Sequence, residues 1–182
     1  MAEMDPIDSV GKAGDLDNRL ADARPAASEA DEAYAIRILA DGTWTYHGSP
    51  IGRPALVKLF AGVLRRDEAG DYWLITPAER GRIVVDDAPF VAVEMSAVGD
   101  GRQAVLSFRT NLDDEVTAGP EHPIRVAFDG ENGQPRPYIL VRDGMEALIA
   151  RSVYYALADR AVDHEGTMGG WSAGCFFALE RS

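Results

Sequence analysis

A catalytic serine is the first chemistry to test, because Gly170–Gly174 (Gly-Trp-Ser-Ala-Gly) matches the G-x-S-x-G nucleophile motif. That motif places a serine on a turn between a strand and a helix, with an acid and a histidine further along the chain. Only eight residues follow Gly174, they contain neither His nor Asp, and their pattern is that of a strand. We therefore predict that Ser172 lies in a glycine-rich bend leading into an edge strand.

The other residues that could hold a metal or act as acid and base form weak patterns. No two histidines have the spacing of metal ligands, and the acidic neighbours of His164 would point away from it on an extended chain. Cys175 is the single cysteine, so the sequence predicts neither an internal disulfide nor a thiolate metal site. Among the acidic pairs, Asp86-Asp87 stands out because Pro89 stiffens the chain beside it. No glycine pattern of a phosphate-binding loop is present.

Two arginines occupy positions that indicate an anion. Arg53 precedes a helix predicted to begin at Pro54, and Arg142 precedes a second helix predicted to open at Asp143. A cation is unfavourable at a helix start unless an anion, held by backbone N–H groups, lies there as well. The alternative for each position is a solvated surface arginine, so this pattern is a weak indication of an anion site.

Short amphipathic elements surround these residues in the first half of the chain. Residues 36–46 alternate on either side of Asp41-Gly42, a tight-turn signal, and predict a hairpin whose buried face holds Trp44 and Tyr46. The apolar side chains over 56–64 have helical spacing and predict one amphipathic helix.

The rest of the chain predicts strands that are interrupted by one helix. A strand over 71–76 is followed by a hairpin over 90–110 and by an antiparallel meander whose last strand runs from Tyr138 to Val141. The apolar residues from Met145 to Leu157 share one helix face, and a last strand is expected over 171–179.

Composition divides the chain into a tail and two small domains. Residues 1–32 hold nine acidic and three basic residues and no aromatic one, which is typical of a flexible segment without a core. The pattern changes near residue 80, so we predict an N-terminal α+β domain over 33–80 and a strand-rich C-terminal domain over 81–182. Strand, helix and strand recur in that order through 43–76 and 138–179, which predicts related motifs in the two halves.

The charge balance disfavours some partners. The 182 residues include 30 acidic and 18 basic ones, for a net charge of −12, which disfavours binding to nucleic acid. No apolar run is long enough to span a membrane, and the first residues lack the pattern of a secretory signal. We therefore expect a cytoplasmic protein.

Several stretches match one known family. They are Asp41–Trp44, Pro50–Arg53, Leu59–Asp67, Leu74–Glu79, Val85–Phe90, Phe108–Asn111, Glu121–Pro123, Pro137-Tyr138, Val141-Arg142, Glu146–Leu148 with Arg151, and Ser172–Phe177. On these stretches the sequence resembles the bacterial family catalogued as domain of unknown function 1285, from about Tyr34 to the end. One departure is Tyr34–Arg37, where the family pattern has an acidic residue between two hydrophobic ones.

The resemblance implies a two-domain α+β protein of antiparallel strands, with one main helix in each domain and a cleft between them. It implies that the cleft takes a small, nucleotide-like ligand and that the protein has a signalling role. No cofactor is indicated. By position, the cleft candidates are Arg53, Thr76, Glu79, Asp87, Thr110, Asn111, Tyr138, Arg142 and Arg151. A turn, cap or ion-pair role is the alternative for each.

Three classes of function stay open. The first is a regulatory protein that binds an anionic ligand through Arg53 and Arg142. The second is an enzyme for a small anionic substrate, with Glu79 or Asp87 as acid or base and His122 as their partner. The third is a protein-binding module with an exposed apolar patch. The sequence favours the first class, and hence a protein that is not an enzyme.

Overall fold

The computed structural model describes residues 32–130 and 133–181, so the predicted tail lies almost wholly outside the described residues. The first sheet has the order β3-β2-β1-β6-β5-β4, with a parallel pair, β1 and β6, at its centre. Its strands are β1 (Glu32–Ile38), β2 (Trp44–Tyr46), β3 (Ser49–Pro50), β4 (Leu64–Arg66), β5 (Tyr72–Ile75) and β6 (Arg80–Val85). Helix α1 (Pro54–Gly62) connects β3 to β4.

The second sheet repeats the topology of the first. Read from one edge, its order is β9-β8-β7-β12-β11-β10, which is the first order with six added to each number. Its central pair, β7 and β12, is again parallel. The strands are β7 (Phe90–Val98), β8 (Val105–Thr110), β9 (Glu115–Thr117), β10 (Ile124–Asp129), β11 (Gln134–Arg142) and β12 (Met145–Ile149). The related units therefore span 32–85 and 90–149, which differ from the predicted segments 43–76 and 138–179.

A third, three-stranded sheet completes the described chain. Helix α2 (Arg151–Ala158) follows β12 and lies beside β7 and β14. The antiparallel strands are β13 (Val162–His164), β14 (Thr167–Ser172) and β15 (Cys175–Ala178), and a short 3-10 helix (Gly101–Gln103) contacts β14. One continuous apolar core joins both large sheets, with Val57 and Ala61 of α1 and Leu157 of α2 buried in it.

The first predicted hairpin is confirmed, but the helix after it is shorter than predicted. Ile38 pairs with Trp44 across the Asp41-Gly42 turn, although Tyr46 is 54% exposed rather than buried. Helix α1 ends at Gly62, and Leu64 is fully buried in β4, where it pairs with β5. Leu59 is 66% exposed, so the buried face of α1 is shifted from the predicted stripe.

The predicted helix at Asp143 is wrong. Asp143 and Gly144 have φ angles of 48° and 70°, the left-handed values of a tight hairpin turn between β11 and β12. Met145, Ala147 and Ile149 are all buried, which is the alternation of a strand. The apolar residues of this segment fit the repeat of a helix as well as the alternation of a strand, so periodicity alone did not decide between the two.

The predicted domain boundary after residue 80 falls at the start of a strand of the first sheet, because β6 pairs with β1 and β5.

The last predicted strand is a hairpin, and its turn carries the serine motif. Ala173 and Gly174 have φ angles of 49° and 76° between β14 and β15. Ser172 is fully buried, where its Oγ donates to the carbonyl of Ala118 over 2.7 Å and accepts from the N–H of Leu106 over 2.9 Å. Ser172 therefore fixes a loop to β8, and its hydroxyl is shielded from solvent.

Within the described residues, no helix combines the length and the apolar character needed to cross a membrane.

Candidate functional site

Three strands of the second sheet, β10, β11 and β12, present charged side chains on one face. Cross-strand pairing places Arg125 opposite Tyr138, with the guanidinium carbon 4.3 Å from the centre of the ring. The same guanidinium donates two hydrogen bonds of 2.6 Å to the carboxylate oxygens of Glu146. This bidentate bond raises the pKa of Arg125. The stacked cation therefore holds the Tyr138 ring in a defined position.

Asp87 reaches this face from the segment between β6 and β7. Its carboxylate accepts hydrogen bonds of 2.8 Å from Tyr138 Oη and 2.5 Å from Arg136 Nη2. Arg136 Nη1 also donates to Asp129 over 3.1 Å. The Asp87 side chain is only 13% exposed, so these bonds replace the water that a buried charge has lost. Burial, and then the bond to Asp87, raises the pKa of Tyr138; the carboxylate of Asp87 also raises the pKa of Arg136.

Two residues of the first sheet complete the group. Arg66 lies 5.7 Å from the centre of the Tyr72 ring and donates a hydrogen bond of 2.9 Å to the carbonyl of Gly144. Burial raises the pKa of Tyr72, Arg66 opposes that effect, and the charges of Glu146 and Asp87 add to it. These contacts join both sheets, so we call the group the junction cluster. Its members are Arg66, Tyr72, Asp87, Arg125, Arg136, Tyr138 and Glu146.

A cavity of about 470 Å³ opens beside Arg136 and the start of α2. Its volume lies in the range of roughly 300–1,000 Å³ that is usual for ligand pockets. Arg136 and Arg151 supply positive charge, and Tyr154 and Tyr155 supply aromatic rings. We call it the α2 cavity, and its other lining residues are Asp129, Gln134, Pro135, Pro137, Leu148 and Ile149. All of them follow Asp87 in the chain, whereas the sequence predicts a cleft between the domains.

The start of α2 has an unbalanced positive charge. Arg151 is its first residue and is exposed, and its side chain makes no hydrogen bond or ion pair in the described part of the chain. Ala150 provides no side-chain cap, and the first turn contains no acidic residue. An anion in the α2 cavity would therefore meet the unpaired guanidinium of Arg151 and, beside it, the guanidinium of Arg136, which is bonded to Asp87 and Asp129.

The structure brings together three of the predicted site residues. Asp87 and Tyr138 are hydrogen-bonded, and Arg151 lines the adjoining cavity. Thr76 and Glu79 instead bond to each other within the β5–β6 turn, where Thr76 Oγ1 donates to the Glu79 carbonyl over 3.0 Å and accepts from its N–H over 3.1 Å. Those two residues therefore have a turn-forming role in the structure.

Thr110 and Asn111 hold the turn between β8 and β9. Thr110 is fully buried, and its Oγ1 accepts hydrogen bonds of 3.2 and 3.1 Å from two N–H groups of its own turn. Asn111 Oδ1 accepts from the N–H of Val91 over 3.0 Å, and its Nδ2 donates to the carbonyl of Gly42 over 3.4 Å. Asn111 therefore ties this turn to the first hairpin of the other sheet.

Arg53 and Arg142 do not form the predicted pair of helix-start sites. Arg53 is exposed before α1, and its side chain has no polar partner among residues 32–130 and 133–181. Arg142 ends β11, and its Nη2 donates a hydrogen bond of 2.8 Å to the carbonyl of Ala61 near the end of α1. Its guanidinium carbon also lies 5.2 Å from the centre of the Phe90 ring. A cation at the end of a helix is favourable, which is the reverse of the predicted arrangement.

Five members of the junction cluster are absent from the predicted site residues, namely Arg66, Tyr72, Arg125, Arg136 and Glu146. The predicted strand began at Tyr138 and Glu146 fell in a predicted helix, so Arg125, Arg136 and Glu146 had no common surface. Strand β11 begins at Gln134, and its neighbour β12 pairs with it only from Tyr138 onward. Prolines on either side of Arg136 are tolerated there because that stretch has one paired edge. The alternation of Arg136 and Tyr138 was the available signal.

The remaining chemically capable residues have packing roles. His122 Nδ1 lies 2.9 Å from the carbonyl oxygen of Leu140, and His164 packs with its ring centre 4.9 Å from those of Trp171 and Phe176. Cys175 is half-buried against the core. In the described chain, no three His, Cys, Asp or Glu side chains are grouped as metal ligands would be.

Family models match the chain in two consecutive parts. A domain of unknown function (DUF1285), N-terminal domain, matches residues 27–88, and a protein of unknown function (DUF1285), C-terminal domain, matches residues 89–179. The chain belongs to the DUF1285 family. The resemblance and the two-domain layout predicted from the sequence are thereby confirmed. The two family domains meet next to Asp87, at the segment between the two large sheets.

Two solved DUF1285 structures are similar to this chain. A DUF1285 family protein from Silicibacter pomeroyi DSS-3 shares 47% sequence identity, with a TM-score of 0.79 over 82% of this chain and 81% of that one. A DUF1285 family protein from Shewanella baltica OS155 shares 25% identity, with a TM-score of 0.54 over 70% of this chain and 92% of that one. A search of curated protein sequences finds no match.

Proposed function

We propose that this DUF1285 protein binds a small anionic, nucleotide-like ligand in the α2 cavity and that this binding serves a regulatory role. The observation that supports the proposal is a cavity of about 470 Å³ in which Arg136 and Arg151 lie near an uncapped helix start. Guanidinium groups and backbone N–H groups are the donors that bind phosphate and carboxylate. The cavity adjoins the junction cluster, so the ligand would lie on the C-terminal side of the boundary between the domains.

The aromatic side chains favour a ligand with a ring. Tyr155 is 58% exposed at the cavity, and the neighbouring Tyr154 is held by a hydrogen bond from its hydroxyl to the carbonyl of Leu179 over 3.1 Å. A ring of a nucleotide could stack on such a side chain while its phosphate binds the arginines. Proline and leucine side chains complete the apolar part of the wall.

The contacts of the proposed acid–base residues give the enzymatic alternative no support. The main chain of Glu79 bonds to Thr76 in the β5–β6 turn, and His122 is bonded to Leu140. Asp87 is bonded to Arg136 and Tyr138. A catalytic pair requires the two groups within reach of one substrate, and no described hydrogen bond or ion pair joins Glu79 or Asp87 to His122.

A ligand screen with two matched variants tests the proposal. Thermal unfolding of the full chain is measured with nucleotides, cyclic dinucleotides, sugar phosphates and divalent cations. A ligand at about 100 times its Kd adds about 2.7 kcal/mol, which raises the midpoint by roughly 5–10 °C. We expect Arg151→Ala to remove this shift.

Arg53→Ala is the control because Arg53 is also an exposed, unpaired arginine at a helix start. It should leave the shift unchanged. A panel without any shift would contradict ligand binding. Loss of the shift in Arg53→Ala but not in Arg151→Ala would place the site at α1 instead.

A further inference from the structure

We propose that Asp87 sets the anion affinity of the α2 cavity, because it competes with the ligand for the guanidinium of Arg136. The inference rests on the proposed ligand-binding function and adds a positioning residue that does not itself line the cavity. It depends on three contacts, which are Arg136 with Asp87, Arg136 with Asp129, and Asp87 with Tyr138.

Arg136 is shared between the cavity and the junction cluster. It lines the cavity, yet its Nη2 donates to Asp87 over 2.5 Å and its Nη1 to Asp129 over 3.1 Å. These bonds use two of the five N–H donors of the guanidinium and offset its positive charge, so an anion at Arg136 competes with both carboxylates for that charge. Arg136 therefore attracts a ligand less strongly while both carboxylates lie beside it.

Asp87 is the stronger of the two competitors. Its side chain is 13% exposed, whereas that of Asp129 is 59% exposed, so solvent screens the Asp129 pair much more. Tyr138 Oη also donates to Asp87, which holds the carboxylate in the position that meets Arg136. The affinity of the cavity for an anion should therefore depend mainly on Asp87.

The same competition connects the cavity to the boundary between the domains. Asp87 lies between β6 and β7, and the preceding Asp86 accepts a hydrogen bond of 2.6 Å from Arg37 of β1. An anion that takes Arg136 from Asp87 leaves Tyr138 as the remaining described side-chain donor to that carboxylate. Occupancy of the cavity would thus loosen one bond between the inter-sheet segment and the second sheet.

Calorimetric titration of the full chain with inorganic pyrophosphate tests this role. Pyrophosphate carries the charge of a nucleotide without its base, so it reports on the arginines alone. We expect Asp87→Asn to lower the Kd for pyrophosphate by about tenfold, because one carboxylate no longer competes with the ligand for the charge of Arg136. Asp87→Glu restores the carboxylate and should return the Kd toward that of the natural sequence.

Asp86→Asn is the matched control, because it removes the same charge from the adjacent residue, which pairs with Arg37 rather than Arg136. Its Kd for pyrophosphate should stay within about twofold of the natural value, and thermal melts check that every variant is folded.

Equal Kd values for Asp87→Asn and the natural chain, with binding lost in Arg151→Ala, would overturn the role of Asp87 and keep the ligand site. Equal tightening by both Asn variants would overturn it as well, since general charge would explain the effect. If neither the natural chain nor Asp87→Asn binds pyrophosphate, the role of Asp87 is overturned, and the nucleotide panel then tests the ligand site separately.

Discussion

Tyr138 donates its hydroxyl to Asp87 across 51 positions of the chain, and this one bond determines how both residues behave. The carboxylate has exchanged water for two protein donors, and the buried phenol has gained an anion beside it. Both effects favour the neutral form of Tyr138, because ionisation would place two negative charges side by side. Tyr138 is therefore a hydrogen-bond donor over the whole physiological range.

Asp87→Asn should lower the pKa of Tyr138. The pKa is raised first by burial and then by the hydrogen bond and the charge of Asp87, and the variant removes the charge while it leaves the burial. An ultraviolet titration that compares Asp87→Asn with Asp87→Asn/Tyr138→Phe isolates the ionisation of Tyr138. The corresponding pair, Asp86→Asn with and without Tyr138→Phe, should give the Tyr138 pKa of the natural chain. A Tyr138 pKa that is equal in the natural chain and in Asp87→Asn would show that the two side chains are not bonded in solution.

At the scale of elements, the third sheet shows how close packing selects glycine. Gly169 and Gly170 are adjacent in β14, and both are buried. A Cβ on Gly169 would lie 2.3 Å from the carbonyl oxygen of Phe177 and 2.4 Å from the Phe176 ring. A Cβ on Gly170 would lie 3.6 Å from Leu157, which is an ordinary contact. The two glycines therefore have different reasons to be present, although the sequence makes them look alike.

Gly169→Ala should destabilise the protein by about 1–3 kcal/mol, since a backbone atom of β15 must move to admit the methyl group. Gly170→Ala should be neutral or stabilising by up to about 1 kcal/mol, because alanine restricts the unfolded chain. Urea unfolding of both variants gives the comparison. Similar losses for the two would indicate that strand propensity, and not the contact with β15, governs this position.

At the scale of the whole molecule, direct bonds fasten the two family domains together. Arg142 of β11 donates to Ala61 at the end of α1, Arg66 of β4 donates to Gly144, and Asn111 bonds to Gly42. The apolar core continues from one sheet to the other beneath these bonds. We therefore expect the two domains to unfold together in one transition.

Arg142→Ala should lower the free energy of unfolding by about 1–3 kcal/mol, because a half-buried charged donor to a helix-end carbonyl is lost. Arg53→Ala should change it by less than about 0.5 kcal/mol, as is usual for an exposed residue without partners. Urea unfolding, followed by tryptophan fluorescence and far-ultraviolet circular dichroism, measures both. Equal losses of unfolding free energy in Arg142→Ala and Arg53→Ala would contradict the interdomain role of Arg142. Two separate unfolding transitions in the natural chain would contradict it as well.

The sequence by itself determined the features that depend on a few neighbouring residues. The Asp41-Gly42 hairpin, the start of α1 at Pro54 and the β7–β8 hairpin follow from local turn chemistry and alternation, and the collinear motifs identified the family. Tertiary structure decided the secondary structure of segments whose apolar pattern fits both a helix and a strand. Residues 145–149 became a strand because they pair with β7, about 55 residues earlier in the chain.

Tertiary structure also decided the candidate site. Asp87 and Tyr138 could be selected for their chemistry, but Arg136 meets Asp87 from 49 positions away, and Arg142 meets Ala61 from 81. No local signal specifies such partners, because they depend on how strands from distant parts of the chain are ordered within a sheet. The order of the two sheets therefore decided which arginine lines a cavity and which fastens the domains together.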